Sequence, residues 1–193
     1  MKRLVAVLGV TVMGVTAIGV TALRVAAAEE KPAPTNPVAR GRYLVTVLGC
    51  NDCHSPKKMT SQGPVPDMTR QLSGHPEGTP LPAPPKAVGP WIAASTGDLT
   101  AWAGPWGITY ATNLTPCETT GLGIWTEEMF VKAIKTGRHM GTSRPILPPM
   151  PIEAYRHLTD EDVKAVYAYL RTIPTIKNRV PEAVIAPPPP APR

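Results

Sequence analysis

Apolar residues are unevenly spaced along the 193-residue chain, and their spacing divides it into segments. Leu4 to Leu23 is an uncharged, largely apolar stretch. From Pro37, Tyr43, Leu44, Val47 and Leu48 recur at helical intervals and predict one apolar face. Pro37 suits a first helical position, Asn36 is the candidate N-cap, and Gly49 ends the pattern. Residues 56–110 lose all periodicity. Pro64, Pro66, Pro80, Pro82, Pro84, Pro85 and Pro90 leave little room there for helix or central strand. The same stretch holds Met59, Met68, Leu72, Trp91, Ile92, Trp102 and Trp106, more large apolar groups than a disordered segment carries. It is expected to be a long ordered wrap, laid over a cofactor face or a partner, with a flexible insertion as the alternative. Helical spacing returns at Phe130, Val131 and Ile134, capped by Thr126 and stopped by Gly137. A final helix is capped by Thr159, has Asp160, Glu161 and Asp162 in its first turn, and carries Val163, Val166, Tyr167 and Leu170. The Ala- and Pro-rich tail from Pro181 to Arg193 reads as disordered.

Charge refines the first segment. Lys2 and Arg3 precede the apolar stretch, and Ala26, Ala27 and Ala28 close it. That order predicts a secretory signal peptide over residues 1–28, cut after Ala28, with an uncleaved membrane anchor as the alternative. Residues 29–36 are a linker, 37–175 the folded domain and 176–193 the Pro-rich tail. The formal net charge of +6 includes Lys2, Arg3 and Arg24 but no acid from the leader. Its removal leaves +3, and no basic block argues for nucleic acid. The expected location is the periplasm, soluble or N-terminally anchored. There is no internal repeat.

The candidate chemistry sits at Cys50-Asn51-Asp52-Cys53-His54. In a C-x-x-C-H run, two thiols three positions apart can each form a thioether to a haem vinyl group, and the adjacent histidine can ligate the iron. Export agrees with this chemistry. The alternatives are a disulfide, a redox-active C-x-x-C or a zinc site, for which the chain offers only Cys117 beyond the pair. Phe130 is the single phenylalanine, so a buried porphyrin would supply missing apolar bulk. A second iron ligand has candidates in Met59, Met68, Met129, Met140, Met150, His75, His139 and His157. Met150 stands in Pro148-Pro149-Met150-Pro151, where prolines restrict the backbone and pre-position the soft sulfur. Met140 is the runner-up. A core-filling methionine is the bland reading, and a histidine in the sixth position would lower the reduction potential.

Three stretches resemble bacterial class I c-type cytochromes, especially the cytochrome c domains of membrane-associated alcohol and related dehydrogenase cytochrome subunits. The first is Arg40-Gly41-Arg42-Tyr43-Leu44 leading to Cys50-Asn51-Asp52-Cys53-His54. The second is Tyr110-Ala111-Thr112-Asn113-Leu114-Thr115-Pro116 with Gly121-Leu122-Gly123-Ile124-Trp125-Thr126. The third is Pro149-Met150-Pro151 followed by Leu158 to Val163 and Tyr167-Ala168-Tyr169-Leu170. The resemblance implies an all-α fold. Its N- and C-terminal helices would cross around one covalently bound haem c, with a long Pro-rich loop inserted. Gly41 would be the small residue at the crossing, with Tyr167 or Leu170 opposite. It also implies Cys50 and Cys53 as haem attachment sites and His54 and Met150 as axial ligands.

The chain departs from that pattern in its single C-x-x-C-H, its longer wrap, and Cys117, read as a small partly buried residue, or else a free or bridging thiol. Asn113-Leu114-Thr115 also matches a glycosylation sequon. The leading expectation is a mono-haem electron carrier, not itself an enzyme, working between a dehydrogenase donor and an oxidase or cytochrome acceptor. Lys57, Lys58 and Arg138 are candidates for a basic rim that steers an acidic redox partner. The alternatives are a permanent subunit of a periplasmic dehydrogenase, using Trp91, Trp102 and Trp106 as an interface, and a haem enzyme or sensor with an open sixth site. No phosphate loop, nucleophile elbow or H-E-x-x-H helix offers independent chemistry.

Overall fold

A computed structural model describes residues 36–86 and 89–187. The expected leader over 1–28, nearly all of the linker and the end of the tail lie outside the described residues. Among the described residues five α-helices occur in chain order: α1 (Pro37–Val47), α2 (Cys50–His54), α3 (Glu127–Thr136), α4 (Ile152–Tyr155) and α5 (Asp160–Leu170). Six short strands occur as well: β1 (Lys57–Thr60), β2 (Gly63–Pro66), β3 (Ala94–Ser95), β4 (Ala101–Gly104), β5 (Gly107–Tyr110) and β6 (Val184–Ile185).

The all-α expectation is therefore wrong. The described residues form a mixed α/β structure with two antiparallel sheets, a β1–β2 ribbon and a four-stranded sheet in the order β3-β4-β5-β6. The Pro-rich wrap hides these strands from a search for periodicity because they are only two to four residues long. Its prolines do not forbid them. In a two-stranded ribbon every strand is an edge, so Pro64 and Pro66 of β2 can leave an N–H unmade. Gly63 and Gly107 begin β2 and β5 at φ values of 106° and 108°, which lets each chain turn back at a strand start. The tail also departs from the disordered reading: β6 pairs with β5, and Ala186 N donates to Trp106 O at 2.9 Å.

The helices follow local chemistry closely. Asn36 accepts from Val38 N and Ala39 N, Thr126 from Met129 N and Thr159 from Asp162 N, so α1, α3 and α5 each start at a side-chain cap. Gly137 ends α3 at φ 67°. The buried face of α1 is Gly41, Leu44 and Val45, while Tyr43 and Val47 are exposed. One apolar face was expected there, and the side turned inward is rotated from the predicted one. The reason is α5, which packs across α1 at Gly41. A Cβ at that position would land on the Ala165 carbonyl oxygen and lie 2.8 Å from Tyr169 Cβ. The residues opposite Gly41 are thus Ala165 and Tyr169, not Tyr167 or Leu170. The core gathers Leu44, Val45, Leu72, Leu122, Phe130, Val163, Val166 and Leu170. Arg40 closes the crossing with a two-pronged pair to Asp162, at 2.9 and 3.2 Å.

Two outcomes follow from these contacts. Gly41→Ala should cost at least about 2 kcal/mol, because a backbone carbonyl cannot move aside as a side chain can; urea unfolding would read it, and an unchanged midpoint would refute the close crossing. The second concerns acid. Asp67 accepts from Thr69 N and Thr69 Oγ1 and pairs with Lys58 at 2.9 Å, and these contacts hold its carboxyl down at about 2. A lowered folded-state pKa gives stability that is present above the ordinary carboxylate value and lost as pH falls toward 2. The wild-type advantage over Asp67→Asn in urea midpoint should therefore shrink between about pH 4 and pH 2. A constant difference across that window would contradict this assignment.

Candidate haem-attachment site

α2 is a single turn that begins at Gly49 in the left-handed region, φ 68°, where glycine is at no disadvantage. It sets Cys50, Cys53 and His54 on the wall of one cavity of about 450 Å³. That volume lies within the range of small-molecule and cofactor sites. Both cysteines are free thiols. Burial pushes the Cys50 thiol up to about 11 and raises Cys53 as well, so both stay protonated near neutrality.

His54 is buried. Its Nδ1 lies 2.8 Å from the Thr112 carbonyl oxygen. A carbonyl only accepts, so Nδ1 carries the proton and Nε2 keeps its lone pair. Burial lowers the pKa of the ring, and the charge of Lys57 lowers it further against the Thr112 bond. The result is a neutral imidazole in fixed orientation, the form that ligates a metal.

Thr112 is held from behind. Gly74 N donates to His54 O at 2.8 Å, His75 N to Ala111 O at 2.8 Å and Leu114 N to Leu72 O at 2.8 Å. Gly74 packs so closely that a Cβ would fall 2.7 Å from the Thr112 carbonyl carbon. A second clasp holds α2 itself. Ser55 Oγ donates to Asn51 Oδ1 at 2.9 Å and accepts from Leu72 N at 2.8 Å, with Ser55 and Leu72 fully buried.

Met150 lines the same cavity. Its loop is tied to the four-stranded sheet, because Thr109 Oγ1 on β5 donates to Pro148 O at 2.8 Å. The Pro148-Pro149 bond is cis. Trp102, Thr109 and Tyr110 of β4 and β5 also line the cavity. The sheet was missed in the sequence, yet it forms one wall and anchors the loop of Met150. The Gly104-Pro105-Trp106-Gly107 turn between two short apolar runs is a signal that could have marked it.

The other candidates divide. Met140 does not line the cavity and sits in the left-handed region, φ 53°. Met59 and Met68 are exposed, and they, Met129 and His157 stay off the wall. His139 does line it, edge-on to Trp125 with ring centroids 4.9 Å apart. His75 is buried elsewhere, its Nδ1 2.8 Å from Thr100 Oγ1. Tyr155 lines the cavity, and its hydroxyl donates to the Leu48 carbonyl just before α2. Burial and the neighbouring cysteines push that phenol up to about 12, so the donor persists.

Cys117 is a buried free thiol, accepting from Thr120 Oγ1 at 3.1 Å, and the Thr120 and Thr119 hydroxyls pull it down to about 7. It does not join Cys50 and Cys53 at the cavity. Among the described residues no group of three His, Cys, Asp or Glu side chains gathers as for a metal ion. Asn113 is buried and its amide donates to Ile176 O at 2.8 Å, so the sequon is spent on structure. Of the expected basic rim, Lys58 pairs with Asp67, Arg138 donates to Ser143 O and Lys57 folds back on α2.

No protein-family model matches the chain. The chain is 46% identical over 72 residues to the fructose dehydrogenase cytochrome subunit of Gluconobacter japonicus, covering 37% of this chain and 15% of that protein. It is 32% identical over 132 residues to the gluconate 2-dehydrogenase cytochrome c subunit of Pantoea cypripedii, covering 68% and 22%. The cytochrome c subunit of the quinone alcohol dehydrogenase of Gluconobacter oxydans is 39% identical over 66 residues, covering 34% and 13%. The matched stretch is thus less than a quarter of each of these relatives. The resemblance read in the sequence holds: this chain is a homologue of cytochrome c subunits of dehydrogenases, the electron-transfer subunits of those complexes rather than the catalytic ones.

Proposed function

We propose that this chain is an exported mono-haem c-type cytochrome that passes single electrons between redox partners in the periplasm. Haem c would be joined to Cys50 and Cys53, with iron between His54 and Met150. The observation that carries this reading is the convergence on one cavity of two free thiols on one helical turn, an imidazole with a bare Nε2, and Met150. Soft sulfur and neutral imidazole are donors suited to haem iron. The single C-x-x-C-H argues for one haem per chain.

Bound there, haem iron would supply a reversible one-electron couple, and ligation by methionine together with histidine would raise its potential. The residues of the chain supply the rest. Thr112 fixes the proximal ring and its tautomer. Thr109 and the proline-bounded loop hold Met150 in place, so little reorganisation accompanies a change of charge. Leu122, Phe130, Val163 and Leu170 make an apolar wall that excludes water. A low-dielectric wall of this kind disfavours the more highly charged oxidised state.

A second reading has its own support. Trp91 and Ile92 are 75% and 65% exposed beside Pro84 and Pro85, a surface suited to a permanent partner in a dehydrogenase complex. Co-purification of the native protein as a stable heteromer would favour that reading, and a clean monomer would count against it.

The main test is a redox titration of the purified chain followed by its optical spectrum. Met150→Ala should abolish the methionine sulfur–iron charge-transfer band and lower the midpoint potential by at least about 59 mV, a tenfold change in the equilibrium. Met140→Ala should leave both in place. If Met150→Ala keeps the band, or if His139→Ala alters the potential instead, the assignment of Met150 fails.

A further inference from the structure

Lys57 follows the attachment turn, at the start of β1, and its side chain does not point to solvent as a steering charge would. Its Nζ lies 3.0 Å from Asn51 O, 2.7 Å from Asp52 O and 2.9 Å from Ser55 O. An ammonium group has three protons, and here each has a backbone carbonyl. Two of those carbonyls belong to α2 and the third to its C-cap residue.

The need for such a contact is plain from α2. A helix of five residues has few internal hydrogen bonds, and its last carbonyls have no following turn to receive them. Gly49 offers no side-chain cap at the other end. The carbonyl end of a helix collects partial negative charge, so a cation fits there. Lys57 stands in for the missing turn.

Its neighbour behaves differently. Lys58 meets the Asp67 carboxylate at 2.9 Å, and that pair is neutral. No ion pair of Lys57 occurs among the described residues: its hydrogen-bond partners are dipoles, and its charge sits beside the turn that bears Cys50, Cys53 and His54. Burial lowers its pKa from the ordinary lysine value, and Asp52 and Asp98, which oppose that, reach it only through space.

We propose that Lys57 is a positioning residue for electron transfer: it closes the Cys50–His54 turn through three carbonyls, and its charge, held in no ion pair, raises the potential of the haem iron. Reduction lowers the charge of the iron by one, so a fixed cation nearby favours the reduced state. The role rests on the haem reading given above and replaces the expectation that Lys57 belongs to a docking rim.

The experiment uses the full chain, exported in a host that attaches haem to its own c-type cytochromes. Wild type, Lys57→Met, Lys57→Gln, Lys57→Arg and the double variant Lys58→Gln/Asp67→Asn, which removes a neutral pair whole, are compared by two readouts, the fraction of chain carrying covalent haem and the midpoint potential. Lys57→Met and Lys57→Gln should carry less haem and shift the reduction equilibrium about three- to tenfold toward the oxidised form, where tenfold is 59 mV. Lys57→Arg, which keeps the charge, should hold the wild-type potential, and Lys58→Gln/Asp67→Asn should match wild type in both readouts. Equal potentials in wild type and Lys57→Met overturn the proposal, as does an equal shift in Lys58→Gln/Asp67→Asn. Should Lys57→Met carry no haem, the attached fraction decides: rescue by Lys57→Arg supports the role, and an equally empty Lys57→Arg overturns it. A wild-type chain without haem would instead defeat the underlying haem reading.

Discussion

The hydrogen bond from His54 Nδ1 to the Thr112 carbonyl is the constraint around which the described residues are arranged. It joins a helix near the start of the chain to a loop 58 residues later. It sets the tautomer of a buried imidazole and leaves one nitrogen bare. A carbonyl can serve in this way only if it cannot move, and two separate segments prevent that. Residues 72–75 are bonded along residues 111–114, Gly74 permits the close approach, and Asn178 Nδ2 donates to Ser73 O and His75 O at 2.7 and 2.8 Å. The loss of any one strap would be felt at the ring.

The same economy explains the Pro-rich wrap. It is not a covering laid over a finished helical core. β4 and β5 form a wall of the cavity, and Thr109 reaches from β5 to the loop of Met150. The C-terminal segment closes the system by pairing β6 with β5. Elements far apart in sequence thus converge behind the two sides of one site. Homology to dehydrogenase cytochrome c subunits is consistent with an electron-transfer role, in which rigidity around the site keeps reorganisation small.

The charges tell a related story. Lys57, Lys58 and Arg138 looked interchangeable as basic residues near the attachment motif. In the folded chain each has a different partner: backbone carbonyls, a carboxylate and a loop carbonyl. Which cation remains outside an ion pair depends on what lies within about 3 Å of it, and sequence spacing carries no such information.

What the sequence determined by itself was local. Asn36, Thr126 and Thr159 begin helices, and Gly49 and Gly137 interrupt them, because caps and left-handed glycines act over three or four residues. The C-x-x-C-H run needs only one helical turn to place its three side chains together. Tertiary structure decided what depends on distant neighbours. The inward face of α1 was set by α5 at Gly41, and the wrap and tail became sheet by pairing short strands with one another. Met150 rather than Met140 reached the cavity because Thr109 holds its loop against β5. Short strands and loop positions have little intrinsic preference, so their energies come from partners that lie far along the chain.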